Sequence, residues 1–71
     1  MKYTYTIELA NSRTAILLAN FLLSYADISD IICNYRTLKF HGSSISQHHI
    51  DDFFTANPQI SATINKDCSD C

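Results

Sequence analysis

From Tyr3 to Leu9 the chain alternates strictly, with Tyr3, Tyr5, Ile7 and Leu9 on one side and Lys2, Thr4, Thr6 and Glu8 on the other. A period of two with aromatic and β-branched residues predicts a half-buried strand. Ala10-Asn11-Ser12 breaks the alternation, and Asn11 or Ser12 can accept a backbone N–H of the following turn as an N-cap. The period then changes to that of a helix from Ser12 to Ala26. At ~100° per residue, Arg13, Asn20 and Ser24 form a narrow polar strip with Leu17 beside it. Ala15, Ile16, Leu18, Ala19, Phe21, Leu22, Leu23, Tyr25 and Ala26 cover the rest. This apolar arc spans roughly 220°, well beyond the ~100° stripe a helix needs to pack on one surface.

Between Ile28 and His41 strand formers dominate, but the phase shifts: Ile31 and Cys33 are odd-numbered, Leu38 and Phe40 even. A turn at Asn34-Tyr35, extending to Arg36, explains the shift, and one long bulged strand is the competing reading. Gly42-Ser43-Ser44 turns the chain, and the Ser44 to Gln47 spacing is that of a capping box. A second helix follows, with Ile45, Ile50, Phe53, Phe54 and Ala56 on one face and His49 near its middle, and Asn57-Pro58 ends it. Gln59 to Asn65 alternates again, with Ile60, Ala62 and Ile64 inward. The order βαββαβ predicts an α+β, ferredoxin-like sandwich: two helices on one face of a four-stranded antiparallel sheet. Residues 1–65 form one domain and 66–71 a polar tail in this reading, with Tyr5, Ile7, Leu18, Leu22, Phe40, Phe53, Ile60 and Ile64 as core.

Composition narrows the functional classes. The chain has 71 residues, of which 46% are hydrophobic, with one Gly and one Pro, as expected of a small ordered domain. Five Lys and Arg against seven Asp and Glu leave a net charge of −2, which argues against nucleic acid as a partner. The outward sheet face expected from the strands, with Lys2, Thr4, Thr6, Glu8, Thr37, Lys39 and His41, also lacks the aromatic platform on which RNA bases stack. MKYTYTIEL has no continuous apolar segment of the secretory kind, and the first helix falls short of the ~20 apolar residues of a membrane span. Three cysteines, an odd number, fit free thiols in a reducing, cytoplasmic setting.

Few residues suggest chemistry. Cys68 and Cys71 have the spacing of a metal-binding pair, and with His48 they form the alternative reading of a small metal-binding domain. A structural zinc needs two ligands beyond the cysteine pair, to come from Cys33, His41, His48 or His49. His48 and His49 lie ~100° apart on a helix and do not converge on one ion. His49 fits a buried, hydrogen-bonded core histidine better than a ligand. Asp51 and Asp52 splay apart in the same way and read as a solvated face. No nucleophile, general base and oxyanion donor assemble from the sequence, so neither an enzyme nor a cofactor is expected.

The excess apolar arc of the first helix therefore becomes the main functional signal. It predicts a non-enzymatic protein that binds another protein, as an inhibitor or adaptor, through Arg13, Leu17, Asn20, Phe21 and Ser24. Phage-encoded inhibitors of host defence systems, such as anti-CRISPR proteins, are one class of this size and composition. A homodimer burying Leu17 and Phe21 across a two-fold axis accounts for the same arc.

Overall fold

The computed structural model of the protein describes residues 2–68. Six elements follow one another: β1 (Tyr3–Leu9), α1 (Ser12–Leu22), β2 (Ser29–Asn34), β3 (Thr37–Gly42), α2 (Ser46–Ala56) and β4 (Ala62–Cys68). The strands form one sheet in the order β2-β3-β1-β4, with every neighbouring pair antiparallel. This is the ferredoxin-like α+β arrangement predicted from the hydrophobic pattern.

Register shows why the strands sit as they do. Tyr5 pairs with Phe40 and Ile7 with Leu38, so the alternating apolar positions of β1 and β3 meet on the helix-facing side. The rings of Tyr5 and Phe40 stack with centroids 5.1 Å apart. Ala15, Leu18 and Leu22 of α1 and Ile50 and Phe53 of α2 close over them, with Leu9 and Ile28 completing the buried cluster. Thr4, Thr6 and Glu8 pair with His41, Lys39 and Thr37 on the opposite face. That face is polar along β1, β3 and β4, where β4 adds Thr63, Asn65 and Asp67, but Ile32 of β2, opposite Lys39, stands on it 60% exposed.

Asn11 is the cap of α1. Its backbone is extended, and its side-chain oxygen accepts from the Thr14 amide at 2.9 Å and from the Thr14 hydroxyl at 2.8 Å. The helix ends at Leu22, four residues before the predicted Ala26. Its final carbonyls are used up in a tight turn: the Tyr25 amide donates to Leu22 O at 3.1 Å and the Ser24 hydroxyl to Phe21 O at 3.0 Å. This turn lets Ile28 reach the core.

The β2–β3 phase shift is a turn, as predicted, but Tyr35 and Arg36 make the loop and Asn34 is still strand. Tyr35 carries the positive φ of 58° that hairpin turns of two residues require. A bulge exists as well, between Ser29 and Ile32, where Asp30 has a φ of 55°.

The second helix departs from its predicted start. No capping box forms between Ser44 and Gln47: α2 begins at Ser46, Ile45 at its cap position makes no side-chain bond, and Ile45 is 61% exposed. Gln47 instead donates to Asp51 one turn on, at 3.1 Å. Asn57 closes the other end, its side-chain amide donating to Phe53 O at 2.8 Å.

Strand β4 is displaced three residues toward the C-terminus from the predicted Gln59–Asn65. Residues 66–68, read as tail, pair with β1, whereas Ile60 packs against the core from the preceding turn. Ile64 lies on the predicted side of the sheet, opposite Ile7, but remains 37% exposed and is not part of the buried cluster.

Candidate protein-binding surface

Helix α1 lies over the sheet with Ala15, Leu18 and Leu22 fully buried. A helix turns ~100° per residue, so fixing that face turns Arg13, Ile16, Leu17, Asn20, Leu23 and Ser24 outward. Arg13, Leu17, Asn20 and Ser24, four of the expected contact residues, are exposed together on this side. Phe21 is not part of it. Its ring is half-buried, set against Tyr25 at 5.4 Å and Phe53 at 5.3 Å, and it joins α1 to α2.

Two residues of the outer face were missed by the sequence reading. Ile16 is 53% and Leu23 66% exposed, comparable with Leu17 at 53%. Both belong to the wide apolar arc, and their angular positions, which flank Asn20 on the side opposite Leu17, are the signal that could have singled them out. Three large apolar side chains thus surround Asn20 on a short helix. Arg13 makes no hydrogen bond or ion pair among the described residues and stands in the first turn, where the helix dipole disfavours a cation.

A polar cluster holds the end of the α1 connection to α2. The Ser46 hydroxyl donates to Asp27 Oδ2 at 2.7 Å and accepts from the Ser43 amide at 3.0 Å. His49 Nε2 lies 3.1 Å from Asp27 Oδ1, and its ring stacks on Tyr25 with centroids 3.7 Å apart. Tyr5 OH donates to Ser43 O at 2.7 Å. Hydrogen bonding from Ser46 is the leading cause that holds the Asp27 carboxyl below its ordinary pKa, and the His49 contact adds to it. Burial raises the Tyr5 phenol, and the nearby Tyr3 and Asp27 raise it further.

Serine, histidine and aspartate therefore meet, but not in the order that makes a nucleophile. The carboxylate stands in the middle, and Ser46 faces Asp27 with no accessible surface. Gly42 belongs to the same packing, since a Cβ there would come within 2.9 Å of Ser46 Cβ. The cluster is a clamp that fixes α2 to the loop after α1. His49 is half-buried and hydrogen-bonded within it.

His48 is exposed, and Asp51 and Asp52 are exposed beside it. Cys33 is a free thiol, whereas Cys68 is disulfide-bonded, which departs from the expectation of free thiols throughout. Cys71, the other cysteine of the expected metal pair, lies outside the described residues. Among the described residues no group of three His, Cys, Asp or Glu side chains could hold a metal ion. A shallow hollow of about 270 Å³ lies between Glu8, Leu9, Ala10, Arg36 and Ser61 to Thr63. Its charged groups are used on each other: Arg36 contacts the Glu8 carboxylate at 2.8 Å and donates to Leu9 O at 3.3 Å. No helix among the described residues is long and apolar enough to cross a membrane. Compared with protein-family models, with curated proteins and with solved structures, the chain matches none.

Proposed function

We propose that the protein is a non-enzymatic binding domain that acts by occupying the surface of another protein with the outer face of α1. One observation carries this reading: Ile16, Leu17 and Leu23 stand more than half exposed around Asn20 on one side of the helix. Anchors spaced along one helix face suit an apolar groove, and the unpaired Arg13 at one end suits an acidic group at the end of that groove. Fully covering a large apolar side chain is worth ~1.5–3 kcal/mol, so three half-exposed ones supply about 3–5 kcal/mol before the cost of association. Occupying a surface is the common mechanism of an inhibitor, an adaptor and a phage-encoded anti-defence protein, and the proposal is that mechanism.

The variant Leu17→Asp tests it. Leu17 is outside the core, so unfolding free energy should change by ~0.5 kcal/mol or less, while capture of the partner from the source organism weakens by about tenfold or more. Undiminished capture by a folded Leu17→Asp protein contradicts the proposal. So does loss of folding, because Leu17 would then belong to the core.

A further inference from the structure

The sheet has two edges, β2 and β4, and they are built differently. In β2 the pairing slips between Ser29 and Ile32, Asp30 takes a positive φ, and its carboxylate reaches His41 at 2.9 Å. A bulge and an edge charge are the devices that keep a strand from accepting another. Strand β4 has neither in its first half. It pairs with β1 without a slip from Ala62 to Cys68, it contains no proline, and Ala62-Thr63-Ile64-Asn65 is uncharged. Ala62 and Ile64 share a side of the sheet with the buried Leu9 and Ile7 and yet stay exposed.

We propose that β4 is the edge through which two copies of this chain pair, antiparallel about a two-fold axis at Ile64, to make one continuous eight-stranded sheet. Charge selects the direction. A parallel, in-register pairing sets Lys66 beside Lys66 and Asp67 beside Asp67, and directly opposed like charges destabilise a strand pair. The antiparallel pairing sends these residues to opposite ends. It places Ile64 against the second copy's Ile64 and Thr63 against Asn65, so apolar meets apolar at the axis and amide meets hydroxyl beside it, while Ala62 lies opposite the aliphatic stem of Lys66 and no like charges are opposed. Lys66 keeps its place over the Tyr3 ring, 5.0 Å from the centroid. The pairing also ends itself, because the edges left outside are the two bulged β2 strands. It is independent of the α1 surface, which lies on the helix layer.

Sedimentation equilibrium on four proteins tests the proposal: wild type, Ile64→Glu, Ile64→Lys and Leu17→Asp, each checked for folding by circular dichroism. Wild type should sediment at twice the 8.0 kDa chain mass. Each Ile64 variant opposes like charges across the axis and should weaken the dimer by about tenfold or more, and their equimolar mixture should dimerise again. Leu17→Asp should remain a dimer. A monomeric wild type overturns the proposal. So does a dimer that survives Ile64→Glu, a mixture that fails to restore dimers, or a dimer lost in Leu17→Asp, which would move the interface to α1. If the Ile64 variants do not fold, a wild-type strand β4 whose amides exchange as fast in concentrated as in dilute solution overturns it equally.

Discussion

Replacing Ser46 by Ala removes one oxygen from a residue with no accessible surface. The hydroxyl donates to a carboxylate at 2.7 Å and accepts the Ser43 amide at 3.0 Å, and Ser46 is fully buried. A hydrogen bond to a charged group contributes ~1.5–3 kcal/mol, and the orphaned Ser43 amide adds to the loss. Asp27 is 30% exposed at its side chain and recovers part of this from water. The expected cost is therefore about 1.5–3 kcal/mol at neutral pH. Its pH dependence has a definite sign. The folded pKa of Asp27 is lowered, chiefly by Ser46, so the stabilisation is complete above the unfolded carboxylate pKa of about 3.9 and is lost as pH falls through the folded value. Urea unfolding of both proteins across that acid range should show the gap narrowing toward the ~1 kcal/mol of a neutral hydrogen bond. A gap below about 0.5 kcal/mol at neutral pH, or one that widens on acidification, would refute the clamp.

The remaining predictions concern packing and turn geometry. Leu22→Ala should cost ~2–5 kcal/mol, because Leu22 is fully buried between α1 and the sheet, and a loss under about 1 kcal/mol in thermal unfolding contradicts that placement. Tyr35→Gly should stabilise by about 0.5–1 kcal/mol, since a positive φ strains a side-chain-bearing residue by ~1–2 kcal/mol and Gly returns part of this as chain entropy. Tyr35 is 73% exposed, so no packing is lost; a destabilised variant would deny the positive φ.

The fold was legible where a local pattern had one solution. Alternation in β1 and β3 could be satisfied by only one sheet face, and the break at Asn11 coincided with a real cap. The position of β4 was not legible, because Ile60, Ala62 and Ile64 keep the same phase whether the strand starts at Gln59 or Ala62. Pairing with β1 decides it. The capping-box spacing at Ser44 misled for a related reason: Ser46 is held by Asp27, nineteen residues earlier, and no short window contains both. Spacing of Ser46 and His49 by one turn was the visible half of that clamp. For α1 the width of the apolar arc was readable, but its division into a covered side and an outer side depended on where the sheet lay. Leu17 was placed outside from its closeness to the polar strip, whereas Ile16 and Leu23 needed the structure.

On the proposed function, the outer face of α1 meets another protein. The most direct measurement is site-specific photo-crosslinking in the source cell, with a photoreactive residue placed at Leu17, at Leu23 or, on the opposite side of the molecule, at Thr6. One shared crosslinked protein is expected from Leu17 and Leu23 and none from Thr6. A product from Thr6 alone, or no product from either helix position, would contradict it.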